Sequence, residues 1–119
     1  MHPINIADKL SQFSDHWSPK TIGEVGGTAI KLVKLQGDFV WHRHELEDEL
    51  FLVLKGRLLL RFRDREVAVE PGELIIVPRG VEHQPAATDE THVLLVEPAT
   101  TLNTGNVGNE RTVDRPDRI

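Results

Sequence analysis

At 119 residues the chain has single-domain length, and with 39% hydrophobic and 28% charged residues it can bury one core without falling into the disordered class. The formal charge is −5 and the arginines and lysines are scattered among acids, so no phosphate-binding stripe is present and nucleic acid is not an expected partner. There is no cysteine, which excludes disulfides, thiolate metal sites and cysteine nucleophiles together and fits a reducing compartment.

The opening MHPINIADKL lacks a basic region followed by an apolar run, and no later stretch approaches bilayer length, so the expectation is a cytoplasmic protein with no membrane partner. Over residues 4 to 17, Ile6, Leu10, Phe13 and Trp17 fall at helical spacing, with Asn5 and Asp8 placed to cap the start, which predicts an amphipathic N-terminal helix ended by Ser18-Pro19. From Thr28 the pattern changes to short β-type runs: TAIKLVKL, DFVWHRH, ELFLVL, RLLLRF, EVAVE, ELIIVP and THVLLVE. The turn signals between them (Gly26-Gly27, Lys55-Gly56, Asp64, Pro71-Gly72 and Pro78-Arg79-Gly80) are too tight for crossover helices, so the strands should pair antiparallel. The predicted fold class is all-β, a small antiparallel β-barrel or jelly roll with a short N-terminal helix, since closure removes exposed strand edges. The predicted organisation is a helical arm over 1–19, the barrel over 20–102 and a polar tail over 103–119, either mobile or strapped across the barrel.

The chemistry-bearing residues begin with Trp41-His42-Arg43-His44-Glu45-Leu46-Glu47-Asp48-Glu49. In a strand, residues two apart share a face, so His42 and His44 present both imidazoles to one side, as two neighbouring ligands of one ion require. Glu49 lies at an odd offset from His42 and can join that face only if the intervening residues bulge or turn. Taken alone, a His-x-His pair reads as readily as two ordinary histidines. The stretch Gly72-Glu-Leu-Ile-Ile-Val-Pro78-Arg-Gly80-Val-Glu-His83 supplies the partner, an apolar strand running into a rigid turn and then a histidine.

Together, His42-x-His44-x4-Glu49-x6-Gly56 and Gly72-x5-Pro78-x-Gly80-x2-His83 resemble the two cupin motifs, over about residues 28 to 98. Two framing positions differ from the usual pattern: four residues rather than five separate Gly37 from His42, and Ala87 takes the place of an asparagine. Among cupins, the chain is similar to small single-domain conserved-barrel proteins of the mannose-6-phosphate isomerase-like set. The resemblance implies a barrel in which His42, His44, Glu49 and His83 bind one divalent transition metal. With three imidazoles and a carboxylate the ion is Fe, Mn, Ni, Co, Cu or Zn, its identity left open. The expected function is that of a metal-dependent small-molecule enzyme, dioxygenase-like or a sugar or keto-acid isomerase; the alternative is a barrel that binds or senses a small ligand without turnover.

Strand parity predicts a small apolar cavity lined by Val40, Phe51, Val53, Val81 and Pro85. The same parity turns Leu50, Leu52 and Leu54 outward. That row and the Leu58-Leu59-Leu60 strand are too apolar to stay wet, so a homodimer is expected. His92 reads as exposed or hydrogen-bonded, with a role near the metal as the minority alternative, and His2 and His16 as solvated. Arg57, Arg61, Arg63 and Arg65 read as a solvated face before an anion site. Glu45, Glu47 and Asp48 read as loop solvation, with a general base among them as the alternative.

Overall fold

The computed structural model describes residues 1–119. After a short helix α1 (Ile6–Leu10) come β1 (Lys20–Val25), β2 (Thr28–Asp38), β3 (Glu49–Lys55), β4 (Leu58–Arg61), β5 (Glu66–Val69), β6 (Leu74–Val77), β7 (Gln84–Pro98) and β8 (Asp117–Arg118). The long strands β2 and β7 pair antiparallel and form the spine. Along it the order runs β5-β4-β7-β2-β1-β8, while β3 pairs with both β7 and β6. The ladder does not close: β5, β6 and β8 remain edges, so the architecture is an open jelly roll rather than a closed barrel.

Two long strands serve both halves because each bends. The register of β2 and β7 shifts between Leu35 and Gly37, and Gly37 takes φ +82°, a left-handed conformation that a side chain resists. Beyond the bend, Gln84, Pro85 and Ala86 pair with β4; on the other side, residues 92–96 of β7 pair with β3. The β1–β2 hairpin closes through Gly26-Gly27, Gly26 at φ +60°, a tight turn that matches the twist of its strands. The core collects one face of each strand: Val33 and Leu35, Phe51 and Val53, Leu58 and Leu60, Val69, Val77, Ala87, Val93 and Leu95. In β3 burial alternates as predicted, with Glu49, Phe51 and Val53 buried and Leu50, Leu52 and Leu54 only half-buried.

Three sequence expectations give way here. The helix stops at Leu10, because the buried Lys34 ammonium draws in the carbonyls of Leu10 and Phe13 at 2.8 and 2.6 Å. Trp17 then takes a left-handed backbone, φ 60°, and donates its indole N–H to the Gln36 carbonyl at 2.9 Å. The run DFVWHRH is not a strand: β2 ends at Asp38, and beyond it only an isolated bridge joins His42 to His83. Leu58 and Leu60 are fully buried, so of the Leu58-Leu59-Leu60 strand only Leu59 looks outward.

The tail is strapped rather than loose. Asn106 and Arg43 exchange two hydrogen bonds (Asn106 N–H to the Arg43 carbonyl, 3.0 Å; Arg43 N–H to Asn106 Oδ1, 2.8 Å), and Thr104 is fully buried. Further on, β8 adds in parallel to β1.

Candidate metal centre

His42 and His83 face each other across a closed backbone pair: His42 N–H donates to the His83 carbonyl at 3.0 Å and His83 N–H to the His42 carbonyl at 2.9 Å. The loop of the first motif is tied to the turn of the second by Gly80 N–H on the His44 carbonyl at 2.7 Å and Arg79 N–H on Asp48 Oδ1 at 2.9 Å. Asp48 is thus a turn anchor, and Glu45 pairs with Arg43 at 2.6 Å. Glu49 enters as the first residue of β3, after the irregular stretch that the odd offset required.

The imidazoles of His42, His44 and His83 and the Glu49 carboxylate are all buried, and one ligand atom from each lies within 4.8 Å of all the others. Ligands about 2 Å from one ion lie no more than about 4 Å apart, so an inward shift of under about 1 Å converts this cluster into a coordination sphere. Ring orientation is already set at two positions. Nδ1 of His42 sits 3.0 Å from the Val40 carbonyl and Nδ1 of His83 sits 2.9 Å from the Val81 carbonyl, so each Nδ1–H donates to backbone and each Nε2 keeps its lone pair for the site. Val40 and Val81 therefore serve through their carbonyls; the Val81 side chain is exposed and neither forms the cavity wall.

The donor set fits a divalent transition metal by its own hydrogen-bond account. Both ring nitrogens of His44, Nε2 of His83 and Oε1 of Glu49 are buried without a hydrogen-bond partner, a cost that a cation at their centre removes. His44 and His83 approach Glu49 Oε1 at 3.3 and 3.5 Å. Burial and the neighbouring His83 lower the His42 pKa to about 4, so this imidazole is neutral and ready to ligate through mildly acidic pH. Burial pushes Glu49 up, but Glu97, His44 and His83 beside it hold it well below the usual carboxylate range. Glu97 goes the other way, raised well above that range by burial and by the Glu49 charge.

The centre opens through His42 and Glu49 onto a cavity of about 40 Å³. Phe51 and Pro85 line it, and Val53 packs in the apolar core. The rest of the wall includes Trp17, Phe39, Leu95, Glu97 and Asn103. Trp17 stacks on Phe39 at 4.7 Å, and Phe39 meets the His42 ring edge-on at 5.5 Å.

Comparison with known proteins agrees with this geometry. The family model described as the cupin domain matches residues 31–98. The chain belongs to the cupin family. Among cupins and their relatives, an uncharacterised Bacillus subtilis protein, YdbB, is 37% identical over 95 residues, 79% of this chain and 81% of its own length. A crystal structure of a cupin-2 domain protein from Shewanella frigidimarina is 45% identical with a TM-score of 0.79, covering 80% of this chain and 93% of its own. Protein NMB1881 from Neisseria meningitidis is 30% identical with a TM-score of 0.75, covering 82% of this chain and 99% of its own.

Around this cupin centre the sequence analysis missed Trp17, assigned to a helix, and the buried pair Lys31 and Glu97. A signal existed for the pair: Lys31 shares the inward parity of Val33 and Leu35, and Glu97 that of Val93 and Leu95, so each puts a charge where the strand alternation puts a core residue. His92 bonds Glu90 at 2.9 Å, and His16 reaches the same carboxylate at 3.0 Å. Arg57, Arg61 and Arg63 are paired with Glu70, Asp38 and Glu66, and Glu82. Arg65 lies over the Phe62 ring.

Proposed function

We propose that this cupin is a cytoplasmic, homodimeric protein that uses one divalent transition metal, held by His42, His44, Glu49 and His83, to act on a small molecule. The observation that carries the proposal is the set of buried, converging, unpartnered donor atoms, two of whose rings are already held by backbone carbonyls. A metal bound there supplies Lewis-acid polarisation or, if redox-active, oxygen-dependent chemistry. The chain's own part is to shape and dry the approach. Trp17, Phe39, Phe51 and Leu95 make the wall apolar and favour a flat or apolar ligand portion, with the polar end directed at His42 and Glu49. A cavity of about 40 Å³ is far below the roughly 300–1,000 Å³ that encloses a drug-sized ligand. A substrate of more than a few atoms therefore enters by displacing the arm at Trp17 or the tail at Asn103.

Dioxygenase-like and isomerase-like chemistry both suit this site; the isomerase version is the one that likeness to mannose-6-phosphate isomerase-like proteins suggests. Ligand capture without turnover has one observation in its favour, since two of the three loop acids, Glu45 and Asp48, are engaged by Arg43 and the Arg79 amide rather than free to move protons, which leaves Glu47 as the loop's candidate base. Metal analysis of protein purified without added metal is expected to find about one transition-metal ion per chain, and none after His83→Ala. Protein that arrives empty and takes up no Fe, Mn, Ni, Co, Cu or Zn would sink the proposal. Oxygen uptake by the Fe-loaded protein in a screen of phenols, keto acids and sugars then selects the dioxygenase-like version, oxygen-independent turnover the isomerase-like one, and ligand-induced stabilisation without turnover the capture role.

A further inference from the structure

Three charged side chains share the interior beside the centre, and two of them belong to neither motif. The β3–β7 register pairs Leu50 with Val96 and Phe51 with Leu95. Continued by one step, it sets Glu49 opposite Glu97 on neighbouring strands and on the inward face. Two carboxylates directly opposed in an apolar interior repel, and such a pair persists only where further contacts offset the repulsion. The third strand provides one. Lys31 of β2 reaches Glu97 Oε1 at 2.9 Å, with the lysine side chain 3% and the glutamate side chain 1% exposed, and its ammonium lies 3.5 Å from the Thr101 carbonyl. Glu97 Oε2 is buried without a partner of its own in the protein, and Glu97 lines the cavity together with Glu49 and His42.

We propose that Lys31 and Glu97 are positioning residues for Glu49: Lys31 fixes Glu97 through one oxygen, and Glu97, seated opposite Glu49 on the neighbouring strand, backs its side chain so that Oε1 turns toward His44 and His83. The inference rests on His42, His44, Glu49 and His83 holding a metal, and it assigns the pair a support role rather than ligation. The support spans three adjacent strands, so the orientation of Glu49 is tied to the spine of the fold and not only to the loop that precedes it.

Cobalt(II) alone is the probe, with affinity measured by competition against a chromophoric chelator and ligand geometry by the visible absorption of the saturated protein. The double variant Lys31→Met with Glu97→Leu replaces a buried ion pair by apolar groups, a change that folds are known to tolerate. It is expected to bind cobalt roughly 10–100-fold more weakly, the range typical for loss of an outer-shell partner, and to show an altered absorption band at saturation. Glu97→Gln, whose amide can still accept from Lys31 and donate to Glu49, is expected to stay within about threefold of the wild type. A double variant with wild-type affinity and spectrum would overturn the inference while leaving the metal centre intact. Glu97→Gln as impaired as the double variant would overturn it differently, by making Glu97 a ligand itself. Wild-type protein that binds no cobalt would overturn both the centre and its support.

Discussion

Each of two valine carbonyls holds a histidine ring two residues further on, Val40 for His42 and Val81 for His83. This local device fixes the tautomer without a separate side chain and leaves Nε2 as the free donor. It also makes acid sensitivity predictable. His42 has a folded-state pKa of about 4 against about 6.5 when unfolded, so on acidification the unfolded chain takes up this proton first. The His42 contribution to the stability of chelator-treated protein is therefore expected to be fully present above about pH 6.5 and to be lost between about 6.5 and 4, on the order of 2–3 kcal/mol. Urea unfolding at pH 7.5 and pH 4.5 checks this, and His42→Asn should lose less stability over the same interval than the wild type; equal losses would show that His42 is not buried neutral. At the same scale, replacing His44 or His83 by alanine removes a ligand outright and should cost more metal affinity than the roughly 10–100-fold typical of an outer-shell change, read by the same chelator competition.

Among the connecting elements, two glycines are required by close approach. Gly56 turns β3 into β4 at φ +86°, and a Cβ there would overlap the Thr91 hydroxyl and the backbone of Glu90 and Thr91. That hydroxyl accepts the Arg57 N–H at 3.1 Å. Gly72, at φ +84°, has open space around it. Gly72→Ala should thus cost only the left-handed backbone penalty, about 1–2 kcal/mol, while Gly56→Ala should cost distinctly more. Thermal or urea unfolding of the two variants makes the comparison, and equal losses would mean that the Thr91 contact yields easily. In the tail, Gly105 at φ +55° lies against the Arg43 carbonyl and the His42 ring, where a Cβ would clash. Gly105→Ala is expected to lift the strap off Arg43, speeding proteolysis after residue 102 and metal release to chelator while the unfolding of the core changes little. Unchanged proteolysis and release rates would show that the strap does not guard the centre.

On the whole molecule, the face opposite the core is the feature that a single chain leaves unfinished. Register aligns Ile30, Val96, Leu50 and Ile76 in one row and Leu32, Leu94, Leu52 and Leu74 in the next, across four strands. At the β2 end Leu32 is fully buried; at the β6 end Leu74 and Ile76 are each 56% exposed. Burying a leucine or isoleucine is worth roughly 1.5–3 kcal/mol, so pairing this face with its copy in a second chain is strongly favourable. Light scattering is expected to give a dimer, and Leu52→Lys, which places a charge at the middle of a row, a monomer. A wild-type monomer at high micromolar concentration, or an undisturbed dimer in the variant, would refute that arrangement.

What the sequence determined by itself was periodic or short-range. Strand alternation in β3 and the turn chemistry at Gly26-Gly27 and Pro71-Gly72 depend on neighbours a few residues apart, and the two motifs, by their resemblance to cupins, pointed to His42, His44, Glu49 and His83. Tertiary structure decided everything whose partner lies far along the chain. The helical spacing of residues 4 to 17 yields after Leu10 because the Lys34 ammonium captures its carbonyls and Phe39 and Gln36 engage Trp17, contacts worth more than the remaining turns of an isolated helix. Open edges in place of closure and the meeting of Lys31, Glu49 and Glu97 follow from the register of β2, β3 and β7. Register between strands distant in the chain is set by how the whole core packs, and no local pattern encodes it.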